Sequence, residues 1–394
     1  MNKNPLTNLT QRIESLDILR GFIILLMALD HTRDFFHADA FQFDPEDIHK
    51  SNLPLFFTRF ITHLCAPLFI LLSGIAIQRY EQNKTPRGVS HYLLKRGVWL
   101  IVLELTIIQF AWHFSVDFYH VSGLVIWVIG WSMIYMAVII YLPKKVIVFF
   151  ALALLLLHNL CDSVEITGAV FSKVMWSFLH VKDKIMIGDV FYVRILYPLI
   201  PALAIMMLGY SMGKWYTEAF DKQKRQHYLL YSGISLCLLF TLFRIFNVYG
   251  DVLLFETQQT TAQTIMSFLS ITKYPFSLHY CFITLGIGFM LLYLFEVLKM
   301  RCLKILSVFG KASLFFYIIH LLFFHTIAGI AYLITNQIRG TSVIDPTSIG
   351  LKNYGYSLWT VYLIWMLGCT ALYFICQKYA VYKNSTKNTL TTLI

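Results

Sequence analysis

Ionisable side chains stand at both ends of an apolar run near the start of the chain. Arg20 precedes the run 21–29, and Asp30, His31 and Asp34 follow it. His31 comes eleven residues after Arg20, which is about 16 Å along a helix axis and close to three full turns. The guanidinium and the imidazole therefore project from nearly the same side of one helix. A cation that binds an anionic donor, with a proton-transferring group further along, forms the basis of a group-transfer site.

Carboxylates at helical spacing accompany both of these residues. Asp17 lies one turn before Arg20 and is predicted to pair with it, and Asp34 lies one turn after His31 and can hold its imidazole. Taken singly, Arg20 could reach lipid phosphates and His31 could be an interfacial residue. Ionisable groups that occur together within an apolar segment favour a functional site. We therefore predict His31, Asp34 and Asp30 as catalytic residues.

The composition places this site in a membrane. The chain has 394 residues, of which 58% are hydrophobic and 13% charged, whereas a soluble domain carries about 25% charged residues. With a mean hydropathy of +0.64, it is predicted to be an all-α, polytopic helical bundle. The net charge of +11 comes from basic residues between apolar segments, which indicates topology rather than nucleic-acid binding. The seven cysteines show no C-x-x-C spacing and are predicted to be core thiols.

Apolar runs long enough to cross a bilayer as helices recur about ten times. Basic residues are concentrated in alternate loops, so the positive-inside rule predicts a multi-pass protein with both termini in the cytoplasm. We expect it in the cell (inner) membrane. We divide the chain into a cytoplasmic segment (1–15), a transmembrane domain (16–380) and a cytoplasmic tail (381–394). The predicted spans are 16–37, 58–80, 91–113, 122–142, 144–161, 190–216, 226–247, 274–298, 303–334 and 356–380.

Two of these spans are expected to be interrupted. Pro198 and Pro201 fall in the sixth span and should bend or break it, because proline removes a backbone donor. The ninth span is unusually long, and we expect it to break near Gly329. A bend in the sixth span could open a cavity or could serve packing only.

Histidines recur toward the predicted outer halves of other spans, at positions 63, 279, 320 and 325. No paired set of acidic ligands accompanies them, so we predict no metal site. The simplest interpretation of each is an interfacial or hydrogen-bonded histidine. The alternative is binding of a polar acceptor, for which His63, His279 and His320 are the candidates.

Several stretches of the sequence resemble one known family in their usual order. "SLDILRGFIILLMALDHTRDFF" resembles the opening of the heparan-α-glucosaminide N-acetyltransferase catalytic-domain family, and its Arg-x10-His pattern that of the wider acyltransferase type 3 superfamily. The resemblance covers nearly the whole chain. The further stretches are "THLCAPLFILLSGIAI", "LKRGVWLIVLEL", "VIGWSMI", "YPLIPALAIMMLGYSMG", "KYPFSLHY" and "FGKASLFFYIIHLLFFH".

The resemblance implies a transmembrane enzyme that takes acetyl from cytoplasmic acetyl-CoA and passes it to an acceptor, often a sugar, reached from the other side. It assigns His31 to the catalytic position and Arg20 to the basic partner of the motif. The chain departs here from the animal lysosomal enzyme that it otherwise resembles. That enzyme has an asparagine at the position of His31, and its histidine lies further along. Direct transfer and an acyl-histidine intermediate therefore both remain open.

Cations at the predicted inner face are candidates for binding the phosphates of coenzyme A, although most such cations only set topology. We select Arg20, Arg96 and Lys311 for this role. Ser73 and Gly74 could line the path of the pantetheine arm or could serve helix packing.

The predicted function is an integral membrane acyltransferase that uses acetyl-CoA as co-substrate. Its expected partners are the acyl-CoA donor, a sugar or glycolipid acceptor with a hydroxyl or amine, and membrane lipids. Self-association into a homo-oligomer is left open. The alternative function is a transporter or flippase of a glycolipid or small amphipathic solute, which would move its substrate without consuming an acyl group.

Overall fold

The computed structural model describes residues 13–386 except 83, 117–118, 299, 301–302 and 340–353. The described chain is mostly helical and contains six segments that are long and apolar enough to cross a membrane. The predicted all-α, polytopic class is therefore confirmed. The count of about ten spans, the side on which the termini lie and the division into three parts stay predictions.

The helices of the described residues largely follow the predicted spans. The second predicted span is two helices, α2 and α3, and the third contains a π-helical segment, Glu104–Ile108. The bounds are α1 (Glu14–Phe36), α2 (Leu53–Thr62), α3 (Cys65–Glu81), α4 (Pro86–Leu103), α5 (Gln109–His113), α6 (Val125–Ile139), α7 (Lys144–Leu157), α8 (Val170–Leu179), α9 (Leu199–Met212), α10 (Lys222–Phe246), α11 (Thr261–Leu269), α12 (Leu278–Val297), α13 (Leu303–Lys311), α14 (Ser313–Arg339) and α15 (Leu358–Ser385).

Glycines bring two pairs of helices into backbone contact. In the α1–α13 pair, a Cβ on Gly21 would lie 1.8 Å from the carbonyl oxygen of Leu306. In the α3–α9 pair, a Cβ on Gly74 would lie 2.1 Å from the carbonyl oxygen of Met206. Residues without side chains let helices approach this closely in a bilayer. The backbone of α9 occupies the space that a side chain at Gly74 would need. This agrees with the interpretation that Ser73 and Gly74 serve helix packing.

The helix breaks differ from those expected. The ninth predicted span divides at Ala312, between α13 and α14, and α14 continues through Gly329. Alanine carries no local signal for a helix end, so the sequence could not reveal this break. Pro198 is the N-cap of α9 and Pro201 lies in its first turn, where a missing N–H breaks no helical hydrogen bond. The two prolines therefore start the helix instead of bending it.

A small sheet covers one end of the bundle, and the sequence did not predict it. Its strands are β1 (His120–Gly123), β2 (Asp183–Ile187) and β3 (Phe191–Ile195), in the order β1-β3-β2. β1 is parallel to β3, and β2 is antiparallel to it. Gly188, in the turn between β2 and β3, has a φ of +70°, a left-handed conformation that favours glycine. The first residues of the sixth predicted span are thus strand, not helix.

The two ends of the bundle differ in what lies there. Segments 37–52, 119–124, 182–198 and 248–277 meet around one cavity, and we call this end the capped face. The other end, which we call the basic face, carries Arg20, Arg96, Lys144 and Lys311. The positive-inside rule predicts that the basic face is cytoplasmic.

Candidate functional site

A cavity of about 630 Å³ lies within the capped face, beside the last two turns of α1. This volume is in the usual range for a small-molecule site. Its polar and aromatic walls come from α1, the β1–β3 sheet and the loops around them. They include Asp30, His31, Arg33, Asp34, Glu46, Arg59, Trp112, His120, Tyr192, Arg194, Tyr197, Lys273 and Tyr274.

His31 is hydrogen-bonded to a second histidine behind the cavity wall. Its Nδ1 lies 2.8 Å from Nε2 of His320, and Nδ1 of His320 lies 2.7 Å from the carbonyl oxygen of Phe316. A carbonyl only accepts, so His320 carries its proton on Nδ1, and its Nε2 accepts the Nδ1–H of His31. A neutral His31 then holds its free lone pair on Nε2, for which the described residues offer no partner. His31 is thereby arranged to take up a proton at Nε2.

Aromatic packing holds the two imidazoles in place. The rings of His31 and His320 differ by 3° in orientation, and the indole of Trp112 meets His31 edge-on with ring centres 4.8 Å apart. His320 has no exposed surface and His31 retains 9%. Both rings are therefore fixed and largely shielded from solvent, where hydrogen bonds and charges interact strongly.

The carboxylates next to His31 bond to arginines instead of to the imidazole. Asp34 lies 2.6 Å from Nη2 of Arg33, and Asp30 lies 3.0 Å from Arg33 and 2.7 Å from Arg59. No hydrogen bond joins either carboxylate to His31 in the described part of the chain. The predicted support of the imidazole by Asp34 is therefore corrected, because a permanently charged guanidinium is the stronger partner. Catalytic roles for Asp30 and Asp34 stay predictions.

Glu46 extends this charged network from the loop that follows α1. It contacts Nε2 of His63 and lies 3.7 Å from Nε of Arg59. Burial alone would raise the pKa of the Glu46 carboxyl, but His63 and Arg59 outweigh burial and lower that pKa to about 2. Glu46 is therefore ionised at neutral pH and helps to fix Arg59 beside the cavity.

Positive and negative side chains balance along the cavity wall. Two cations of this wall also act on the hydroxyl of Tyr274. Burial alone would raise the pKa of that hydroxyl, but Lys273 and Arg59 lower it below its usual range. Five carboxylates face five cations around the cavity, so the wall offers many hydrogen-bond donors and acceptors without a strong net charge. The carboxylates are Asp30, Asp34, Asp39, Asp44 and Glu46, and the cations are Arg33, Arg59, Lys182, Arg194 and Lys273.

The three histidines predicted to bind the acceptor lie outside the cavity lining. His320 supports His31 from behind. His63 is buried against Glu46, and His279 donates from Nε2 to the carbonyl oxygen of Tyr249 at 2.9 Å. All three are hydrogen-bonded or ion-paired in the protein, and their acceptor-binding role stays a prediction.

The residues predicted to bind coenzyme A lie toward the basic face, and the cavity lining includes none of them. Nη1 of Arg20 is 3.2 Å from Asp17, which confirms the pair predicted from their spacing. Arg96 donates to the hydroxyl of Tyr92 at 3.1 Å, and Lys311 ends α13. The hydroxyl of Ser73 donates to its own helix, at the carbonyl oxygen of Phe69, 2.8 Å away. The roles of these residues and of Gly74 in binding coenzyme A stay predictions.

Sequence reasoning missed several residues of the cavity. Arg59 could have been found from the sequence, because an arginine within an apolar span usually faces a polar partner or cavity. Trp112, Tyr192 and Tyr274 carry no such signal, since aromatic residues are common throughout this chain. Their convergence depends on the sheet and on loop packing, which no local pattern revealed.

A family model described as "Heparan-alpha-glucosaminide N-acetyltransferase, catalytic" matches residues 12–242, more than half of the chain. The matched range contains His31 and Arg59. It ends before Lys273 and His320, and before the stretches "KYPFSLHY" and "FGKASLFFYIIHLLFFH". The chain matches no curated protein.

Proposed function

This chain belongs to the heparan-α-glucosaminide N-acetyltransferase catalytic family, and we propose that it transfers acetyl from acetyl-CoA to a hydroxyl or amine of a sugar-like acceptor. Family membership and the apolar helices support a membrane acetyltransferase function. The donor, the acceptor and the direction of transfer are the proposed parts.

The observation that carries the proposal is the fixed tautomer of His31. With Nδ1–H donated to His320, Nε2 is the nitrogen that can act as a general base. Nε2 removes the proton of the acceptor hydroxyl or amine as the acceptor oxygen or nitrogen attacks the thioester carbonyl. The carbon–sulfur bond then breaks, and the coenzyme A thiolate takes that proton from the imidazolium. The products are the acetylated acceptor, free coenzyme A and neutral His31.

We favour direct transfer over an acyl-histidine intermediate. In the acyl-histidine route, Nε2 forms the bond to the acetyl group, so another base must remove the acceptor's proton in the second step. The nearest carboxylates, Asp30 and Asp34, are engaged in ion pairs with arginines, so either would have to give up its partner to act as that base. Direct transfer needs only the one nitrogen.

The cavity wall supports a sugar-like acceptor. Balanced carboxylates and cations suit a ligand with many hydroxyl groups, and aromatic faces pack against the apolar faces of sugar rings. Tyr192, Tyr197 and Trp112 provide such faces around the cavity. In the predicted topology, the cavity opens on the side of the inner membrane opposite the cytoplasm, and the acceptor enters from that side.

The donor would approach from the basic face, where Arg20, Arg96 and Lys311 could hold its phosphates. Along α1, Arg20 and His31 are separated by about 16 Å, which the pantetheine arm would have to span. Ser73 is on the same half of the bundle as Arg20 and would lie near that path.

Purified protein in lipid nanodiscs, supplied with labelled acetyl-CoA and a panel of sugars and amino sugars, tests the proposal. We expect acceptor-dependent release of coenzyme A. His31→Gln should lower kcat about 100- to 10,000-fold, because a general base contributes about that factor. The matched control is His91→Gln, at an exposed histidine of α4, which should keep full activity.

Undiminished transfer by a folded His31→Gln variant would contradict the role of His31. Transport of a glycolipid without release of coenzyme A would favour the flippase alternative. Label retained on His31 in the absence of acceptor would replace direct transfer with the acyl-histidine route.

A further inference from the structure

Two buried histidines and an aspartate meet on the capped face, at the end of α7. His158 begins the 3-10 turn that follows α7, Asp162 follows that turn, and His180 is the C-cap residue of α8. One potential ligand atom from each of the three lies within 4.8 Å of the others. None of the three lines the cavity beside His31, so this cluster is a separate site.

The ring nitrogens of this cluster are poorly satisfied. Nε2 of His180 lies 2.8 Å from Oδ1 of Asp162. Nδ1 of His180 and both ring nitrogens of His158 are buried and have no hydrogen-bond partner among the described residues. His158 is 4% exposed and His180 has no exposed surface. Leaving three such nitrogens unpaired is costly, so the cluster is incomplete as a set of hydrogen bonds.

We propose that His158, Asp162 and His180 together bind a zinc ion. Zinc binds imidazole nitrogen at about 2.0–2.1 Å and carboxylate oxygen at about 2.0–2.2 Å, which places neighbouring ligand atoms about 3.3 Å apart. The ligand atoms of this cluster lie within 4.8 Å of one another, so small side-chain rotations bring them to this spacing. Two imidazoles exclude calcium and magnesium, which take oxygen ligands.

The surroundings of the cluster already hold the carboxylate in place. Asn159 donates from Nδ2 to Oδ2 of Asp162 at 2.8 Å, so Oδ1, which contacts Nε2 of His180, is the oxygen that would exchange this contact for the ion. Oδ1 of Asn159 accepts the backbone N–H of Leu278, the first residue of α12, at 3.0 Å. Outer hydrogen bonds of this kind orient the ligands of a metal site.

The ion would connect the end of α7 to the wall of the cavity. His180 lies three residues before β2, and Lys182, between them, lines the cavity. Three protein ligands leave one tetrahedral position for water, and Asp162, 17% exposed, gives access to solvent. The site thus fixes the segment from α8 to β3 without taking part in the acetyl transfer at His31.

The experiment uses the full chain, purified through a tag without histidine, stripped with EDTA and reloaded with zinc. Mass spectrometric metal analysis after desalting should find about one zinc per chain. His158→Gln should lose it, and His91→Gln, at an exposed histidine, should keep it. Zinc should also raise the midpoint of thermal unfolding of the wild type by several degrees and leave that of His158→Gln unchanged.

Cobalt in place of zinc gives a second readout, because tetrahedral Co²⁺ absorbs strongly in the visible range. This band should appear in the wild type and be absent from His158→Gln. Within the described residues His158 has no hydrogen bond to lose in the zinc-free protein, so this variant should fold; Asp162→Asn is the second variant if it does not. A wild type without stoichiometric zinc, or equal zinc loss in His91→Gln, overturns the proposal.

Discussion

Two pairs of buried histidines lie on the capped face, and they differ in how their ring nitrogens are used. In the pair His31–His320, three of four ring nitrogens join one ordered chain of hydrogen bonds, and the fourth remains available beside the cavity. In the pair His158–His180, three of the four ring nitrogens have no hydrogen-bond partner among the residues that the structure describes, and a carboxylate lies alongside. The first arrangement suits the proposed proton transfer, and the second suits the proposed binding of a cation. The hydrogen-bond partners, not the residue type, decide between these roles.

The charges around the two pairs reinforce this difference. Arg33 and Arg59 surround Asp30 and Asp34, so these carboxylates do not reach the imidazole of His31, and the guanidinium charges would repel a metal ion. Asp162, within the described part of the chain, contacts His180 and Asn159 and forms no ion pair with an arginine. A carboxylate can join an imidazole in metal binding only where no arginine competes for it.

The largest predicted effect separates these two carboxylate environments. Arg33→Gln should lower the free energy of unfolding by about 3 kcal/mol, because it removes the arginine paired with the partly buried Asp34 and leaves Asp30 with Arg59 alone. Asp162→Asn in zinc-free buffer should lower it by only about 1 kcal/mol, the usual net value of a hydrogen bond. Chemical denaturation in detergent measures both. Equal losses in the two variants would show that the arginines do not distinguish the sites.

The next effect tests the hydrogen bond between His31 and His320. His320→Phe keeps an aromatic ring but removes the acceptor of the His31 Nδ1–H, so kcat should fall about 10- to 100-fold with little change in KM. His320→Gln restores an acceptor and should recover part of that loss. Zinc content should not change in either variant. Equal activities of the two variants would mean that His320 contributes packing only.

The smallest effect concerns the carboxyl group that holds Arg59. The pKa of Glu46 is about 2 in the folded protein against about 4.3 in an unfolded chain. Its ion pairs therefore stabilise the protein above about pH 4.3, and this stabilisation is lost as the pH falls toward 2. The difference in thermal midpoint between wild type and Glu46→Gln should shrink between pH 6 and pH 3. Exposed Glu256 supplies the control, and a pH-independent difference would contradict the ion pairing.

Helical periodicity predicted what lies on a single helix. It gave the pairing of Asp17 with Arg20, and apolar runs gave the membrane class. It could not give the contact of His31 with His320, which are 289 residues apart in the chain. It also misassigned Asp34, because spacing alone does not rank the adjacent Arg33 as the stronger partner.

The proposed zinc ligands escaped sequence reasoning for a related reason. Asp162 follows His158 by one helical turn, but His180 comes 18 residues later, beyond an interruption of the helix. No familiar ligand motif has this spacing. The small sheet was missed because its strands are short and its parallel pair, β1–β3, joins segments far apart in the chain.

That parallel pair also couples one wall of the cavity to two helices. β1 leads directly into α6 and β3 into α9, and backbone hydrogen bonds join the two strands along His120–Gly123. A displacement of the wall at Tyr192 is therefore transmitted to the ends of two helices at once. If this wall moves, β1 and β3 must move together with α6 and α9, or the hydrogen bonds between the two strands must break.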